Sequence, residues 1–201
     1  MSRGAGPRVR VVRRRRGGVR LAAAELQSLV ERALRACDAP GHGEATVTLV
    51  DDRTIARLNA THMGERGATD VLSFPLLEPT AYPARSGTAR RAAHPSLTLS
   101  RHRGVRAAVD APVALGDILI SVDRALVQAR EGRGGPDGRT SWSAADEVRL
   151  LAVHGALHLC GWDHRTPTAR REMFALQDRI LRAHARARSR NRRATRTSAA
   201  A

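Results

Sequence analysis

Three histidines near the carboxyl end of the chain are the residues best suited to do chemistry. His154, His158 and His164 lie within eleven residues, with Gly161 between the second and the third. Helical residues four apart share one face, so the first two imidazoles can lie side by side. Gly161 can adopt the left-handed conformation that ends a helix and turns the chain, which brings His164 back towards the same point. Three neutral imidazoles with a fourth position open to water are typical of catalytic zinc.

The spacing matches the metalloprotease pattern H-E-x-x-H-x-x-G-x-x-H at every position but one. Gly155 stands where that pattern has the glutamate that acts as general base. Either this glycine leaves room for a phosphate or an adjoining strand, or it serves packing alone. Structural zinc sites usually have four ligands rich in cysteine, and the chain has only Cys37 and Cys160. We therefore expect one zinc ion per chain in an open site.

The surroundings of the metal are less clear from the sequence. Each imidazole needs a hydrogen-bond partner, a nearby carboxylate or carbonyl, that fixes its tautomer, and Asp70, Asp117 and Asp163 are candidates of equal standing. Asp163 has two further possible roles, as a fourth ligand or as a turn residue. No residue is an obvious general base, so the sequence assigns metal ligands but no catalytic side chain.

The net charge of +16 is concentrated at the two ends of the chain. Residues 1–20 and 179–201 each carry eight arginines and no acidic residue, which leaves 19 basic and 19 acidic residues between them. Blocks of like charge are usually disordered and attract polyanions. We predict two basic disordered tails, 1–20 and 182–201, that either contact RNA phosphates or are merely solvated.

Composition excludes several classes of protein. The chain contains no lysine, so it has no lysine-containing phosphate loop, and no stretch of about 18 apolar residues that would span a membrane. The run Arg13–Arg16 is not followed by the uninterrupted apolar segment of an export signal. Two cysteines without framework spacing indicate a reducing compartment, so we expect a cytoplasmic protein.

Apolar periodicity and capping residues predict the elements that must position the histidines. Helical spacing runs through 21–36, and a helix over 143–159 carries the first two histidines. Thr166 and Pro167 begin a final helix, Ser121 caps a helix over 122–130, and Asp51 or Asp52 caps one over 55–60. Strands are predicted over 45–50, 70–74 and 116–121, and a loop over 131–140.

Residues 79–112 differ from the rest because they are rich in Pro, Ala and Arg and follow no period. We interpret them as an inserted surface loop. Without it, residues 21–181 predict a single small α+β domain of strands and helices, with the metal site at the C-terminal part of a helix. No aromatic platform for stacking bases is evident.

Three blocks in this order resemble the YbeY family of bacterial endoribonucleases, which mature ribosomal RNA and support ribosome quality control. They are Leu58-Asn59 with Thr69-Asp70-Val71-Leu72-Ser73-Phe74-Pro75, Leu115-Gly116-Asp117-Ile118, and the histidine block that ends in Gly161-Trp162-Asp163-His164. The resemblance covers about residues 44–181 apart from 79–112. It implies a small α+β fold with helices packed on a mixed β-sheet, and a zinc-dependent single-strand endoribonuclease with one zinc on His154, His158 and His164. It also implies ribosomal RNA and the ribosome or its proteins as partners, with no membrane and no DNA specificity.

One departure from the family separates this chain from its relatives. After the Leu-Asn pair the family often has an aromatic residue and then an arginine implicated in function, and these places hold His62 and Met63. Either a neighbour such as Arg66 supplies the cation, or this member works differently; His62 is either a polar group at the cleft or an ordinary loop histidine. Two other functions remain open: a metal hydrolase of peptides or small molecules, and a non-enzymatic ribosome-assembly factor with structural zinc.

Overall fold

A four-stranded mixed sheet forms the centre of the computed structural model, which describes residues 6–15, 17–78, 82, 112–132 and 142–198. The strands are β1 (Arg8–Arg13), β2 (Gly43–Val50), β3 (Val71–Pro75) and β4 (Val113–Ser121). Their order is β1-β2-β4-β3, with β1, β2 and β4 parallel and β3 antiparallel to β4. Five helices complete the described fold: α1 (Ala23–Ala36), α2 (Asp52–Met63), α3 (Val122–Arg130), α4 (Ala144–Leu159) and α5 (Pro167–Ser198). The α+β plan with a mixed sheet is therefore confirmed.

The two faces of the sheet bury different helices. Ile118 and Ile120 of β4 point into the main core, which also holds the apolar faces of α1, α4 and α5. Leu119 between them points to the other face, where Ile55 of α2 packs in a smaller cluster with Leu72. This period-two alternation is the one expected of a strand that is covered on both sides. The larger cluster supports α4, the helix that carries His154 and His158.

Side-chain caps fix where the helices begin. The backbone N–H of Thr54 donates to the Asp51 carboxylate over 2.8 Å, so Asp51 is the cap of α2. Ser121 accepts from the Arg124 N–H at the start of α3. Ser143 and Asp146 cap each other's backbone in a capping box at the start of α4. The predicted starts of α3 and α4 agree with these caps, whereas α2 begins at Asp52, before the predicted first residue Ile55.

The N-terminal arginine block corrects an expectation. Residues 8–13 are not a disordered tail, because they form β1, which pairs in parallel with β2 from Arg8 to Arg13. Val9 is buried and Val11 packs against the core, while Arg8 and Arg10 are exposed. The alternation of valine and arginine is the pattern of a half-buried strand. The prediction of a tail considered only the charge of this segment and not this alternation.

The C-terminal arginine block is likewise ordered over most of its length. Helix α5 continues to Ser198, so the tail predicted from 182 is largely helical. Its His184 is buried, and Arg188 pairs with Glu25 of α1 at 2.9 Å. The predicted insertion 79–112 lies outside the described residues except for Tyr82 and Pro112, as does the predicted loop beyond Gly132. Among the helices of the described part, none is long and apolar enough to cross a lipid bilayer.

Candidate metal centre

The three predicted histidines meet at the C-terminal end of α4. His154 and His158 lie on one face of the helix, and their ring centroids are 4.6 Å apart. Gly161 has a positive φ of 77°, and the chain turns there so that the His164 ring lies 5.3 Å from that of His154 and 5.2 Å from that of His158. One ligand atom from each residue falls within 4.8 Å of the others. The geometry that the spacing predicted is therefore present.

The hydrogen-bond partners of the first two imidazoles fix their tautomers. His158 Nδ1 lies 2.9 Å from the Trp162 carbonyl oxygen, which can only accept, so the hydrogen is on Nδ1 and Nε2 is a bare lone pair. His154 Nδ1 faces the side-chain oxygen of Gln177 at 3.1 Å and donates to it. The two Nε2 atoms then face each other at 3.0 Å. Two lone pairs at that distance repel unless a cation lies between them, so the donor set fits a metal ion.

The surroundings favour neutral imidazoles. Burial lowers the pKa of His154 below its usual 6.5, and the nearby His164 lowers it further, against the opposing effects of Gln177 and Asp70. A neutral imidazole is the form that binds a metal. His164 is exposed whereas His154 and His158 are half-buried, so the three ligands close one side of the centre and leave the other towards solvent.

The open side faces a cleft of about 290 Å³ beside the edge strand β3. Asp70 is its acidic group, with one carboxylate oxygen accepting from the Val71 N–H and the other from the Gln128 side chain. Within the described part of the chain, no arginine lines this cleft. The lining residues are Met63, Asp70, Val71, Leu72, Ser73, His154, His158 and His164. A cleft of this size beside an open metal position can admit a small part of a larger substrate.

The expectation of a carbonyl partner is confirmed for His158 by the Trp162 carbonyl oxygen, whereas the three candidate aspartates are not the partners of the rings. Asp163 accepts from the Arg165 N–H, which is the turn role that the sequence left open. Asp117 lies on another part of the sheet with Arg8 and Glu44, and Asp70 acts on His154 only through its charge. The Gln177 side chain and the Trp162 carbonyl oxygen orient the rings instead. Sequence reasoning missed Gln177, whose signal is a polar residue on the buried side of α5.

The structure explains the roles of Gly155 and of the end of α2, which carries His62 and Met63. A Cβ on Gly155 would lie 2.7 Å from Ile118 Cγ2 and 3.0 Å from Ser73 Oγ, so the glycine admits the adjoining strands and leaves no room there for a phosphate. Met63 lines the cleft, as the place of the family's arginine would suggest, while Arg66 is exposed and is not among the lining residues. His62 packs edge-on against Phe74 at 5.2 Å.

A mixed α+β domain with an open cluster of three histidines defines the class of proteins that could hold a metal ion in this way. Comparison with known proteins identifies the family within that class. The family model "Endoribonuclease YbeY" matches residues 14–185. The chain is 39% identical over 138 residues to an endoribonuclease YbeY of Salinispora tropica, covering 69% of this chain and 72% of that protein. It is 34% identical over 157 residues to that of Bacillus pumilus, covering 78% and 82%.

A solved structure supports the fold independently. The solution structure of TM1509 from Thermotoga maritima matches with a TM-score of 0.51 and 23% identity, covering 90% of this chain and 93% of that one. The match to the family model spans strands β2 to β4 and the histidine block. The chain belongs to the endoribonuclease YbeY family.

Proposed function

We propose that the protein is a zinc-dependent single-strand endoribonuclease that acts in ribosomal RNA maturation and ribosome quality control in the cytoplasm. Membership of the YbeY family makes it a hydrolase of RNA phosphodiester bonds. The finer statement depends on one observation, the pair of Nε2 lone pairs that face each other at 3.0 Å beside His164. Three imidazole ligands suit zinc, which has no redox chemistry that would damage RNA.

In the proposed reaction, the metal and the side chains of the cleft would have separate roles. His154, His158 and His164 would hold the zinc, which with an open position supplies a Lewis acid for a phosphoryl oxygen and activates water near neutral pH. Asp70 is the carboxylate in the cleft lining. We assign it the role of general base, which accepts the proton of the attacking nucleophile. Its Oδ2 atom accepts from Gln128 and keeps a further lone pair for that purpose.

Two features weigh against the alternative functions. A structural zinc normally has four protein ligands in a closed shell, whereas here the third ligand is exposed and the centre adjoins a cleft. A peptidase of the matching pattern needs a glutamate at the second position of the motif. Gly155 occupies that position here, and a side chain there would clash with Ile118. An RNA substrate also agrees with the basic surface of α5. The partners that we propose are ribosomal RNA and the ribosome or its proteins.

The deciding experiment measures cleavage of a single-stranded ribosomal RNA fragment by the protein as purified, after chelation, and after zinc is restored. We expect cleavage to disappear with the chelator and to return with zinc. His158→Ala should lose both zinc and cleavage, while His42→Ala, which changes an exposed histidine far from the site in sequence, should keep both. Ribosome binding without any cleavage would contradict the proposal and favour the assembly factor.

A further inference from the structure

The cleft beside the histidines has no positive charge of its own within the described residues. Its lining there consists of the three histidines, the carboxylate of Asp70 and uncharged side chains, among them Met63. An RNA strand brings a phosphate for every nucleotide, and one bound metal can neutralise only the phosphate that it contacts. The neighbouring phosphates need another cation near the mouth of the cleft, and this requirement rests on the proposed function.

Arg170 packs against an aromatic ring that also contacts two of the histidines. It lies in the first turn of α5, and its guanidinium carbon is 5.3 Å from the centroid of the Phe174 ring. The same ring lies 6.0 Å from the His164 ring and 6.3 Å from that of His154. Phe174 therefore connects the guanidinium to two of the metal ligands through direct ring contacts.

The charge of Arg170 is available to a ligand. Its side chain is exposed, and the ion pairs formed within the described part of the chain all involve other basic residues. A guanidinium that stacks on a ring keeps its N–H edge free, and that planar edge can donate two hydrogen bonds to one phosphate. An exposed arginine that an aromatic ring orients next to the histidine cluster suits the recognition of a phosphate.

Neighbouring arginines do not have this placement. Arg171 has its guanidinium 3.4 Å from the Thr168 hydroxyl, on the adjacent side of the helix. Arg66 follows α2 and is exposed without lining the cleft. Arg165 follows His164 directly, but no aromatic contact orients it among the described residues.

We propose that Arg170 binds an RNA phosphate that flanks the scissile one, and that it supplies at the mouth of the cleft the cation that Met63 does not. The contact is with a non-reacting phosphate, so it strengthens substrate and transition state alike. Its loss should raise KM and the Kd for RNA, with kcat nearly unchanged. Arg170 is thus a binding residue and not a catalytic one.

The test compares Arg170→Ala, Arg170→Lys and Arg171→Ala with the parent protein. Arg171→Ala removes the same charge from the next residue, so it controls for long-range attraction. We expect Arg170→Ala to raise KM and Kd about tenfold, as removal of a charge-assisted hydrogen bond should, and to change kcat less than about twofold. Arg170→Lys should recover part of the affinity because it keeps the charge and loses the fork. Arg171→Ala should stay within about twofold of the parent.

Two measurements keep this inference separate from the proposed function. Zinc content should be equal in all four proteins, and Kd is measured by fluorescence anisotropy on chelated as well as loaded protein. If the parent binds the RNA but does not cleave it with zinc, the proposed function fails while the Kd values still decide the role of Arg170. Equal loss of affinity in Arg170→Ala and Arg171→Ala, or a fall in kcat at constant KM, would overturn the inference.

Discussion

At the scale of single residues, the metal centre depends on partners that are not carboxylates. Gln177 accepts from His154 Nδ1 and the Trp162 carbonyl accepts from His158 Nδ1, so each imidazole has its lone pair on Nε2. Such partners commonly change metal affinity by about ten- to a hundredfold when they are removed, because the ligand then loses its fixed orientation. The centre therefore includes α5 as well as α4.

Replacing Gln177 tests this directly. Gln177→Leu keeps most of the buried volume and removes the acceptor, so we expect zinc affinity to fall about tenfold to a hundredfold while the fold persists. Competition with a chromogenic chelator measures the affinity, and circular dichroism checks the fold. Gln27→Leu, at an exposed glutamine of α1, is the control. Unchanged affinity in Gln177→Leu would mean that the ring of His154 is held by packing alone.

At the scale of elements, α4 packs so closely against the sheet that position 155 requires a glycine. Alanine is favoured over glycine in a helix by about 1 kcal/mol, so Gly155→Ala would stabilise an uncrowded helix. Here the new Cβ would lie 2.7 Å from Ile118 Cγ2, in a core where Ile118 is fully buried. Overpacking of this kind costs about 1–3 kcal/mol, so we expect a lower free energy of unfolding in denaturant titrations. A stabilised variant would refute the close approach.

Helix α5 extends the basic surface beyond the histidine site. Arg179, Arg182 and Arg186 are exposed on one side of it, and their positions three and four apart form a stripe. The stripe belongs to the C-terminal arginine block, for which the sequence predicts contact with RNA. The N-terminal block cannot be treated in the same way, because its deletion would remove β1 from the sheet.

The stripe should govern how salt affects RNA binding. Changing Arg179, Arg182 and Arg186 together to alanine should weaken binding and flatten the slope of log affinity against log salt by about 0.7 for each phosphate that is no longer neutralised. Zinc content should stay the same, since none of the three touches the histidines. A variant with the parent's slope would leave this face of α5 without a role in RNA binding.

At the scale of the whole molecule, one partly buried ionic cluster joins three helices. Glu25 of α1 accepts from Arg149 of α4 at 2.8 Å, and His184 and Arg188 of α5 lie within 3.3 Å and 2.9 Å of the same carboxylate oxygen. Burial opposes ionisation of Glu25, but hydrogen bonds from Arg149 and His184 outweigh it and hold the pKa of Glu25 below 4.5. Burial lowers the pKa of His184 below 6.5 despite its hydrogen bond to Glu25.

Both shifts make the protein less stable in acid. The unfolded chain protonates His184 more readily than the folded one, so stability should fall as the pH drops below about 6.5. The stability contributed by Glu25 is present above 4.5 and is lost as the pH falls further. Unfolding free energies of chelated protein from pH 8 to pH 4 measure this, and His184→Gln should flatten the first part of the decline. A parent protein equally stable at pH 7 and pH 5 would contradict it.

Sequence alone determined what local chemistry decides. The 0, +4, +10 spacing with Gly161 placed the three histidines together, because helix periodicity and a left-handed turn act within one stretch of chain. The capping residue Ser121 likewise fixed the start of α3. The α+β class followed from strands and helices of recognisable period, whereas the mixed sheet was implied by the family resemblance.

Tertiary structure alone decided what depends on distant parts of the chain. The partner of His154 lies 23 residues away on another helix, and the neighbour that requires Gly155 comes from β4. Residues 8–13 form β1 because they pair with the edge of β2 and pack their valines against the core. Their sequence is dominated by arginine, which had indicated a tail. Contacts of this kind join segments that the chain brings together only when it buries its core, so no local pattern specifies them.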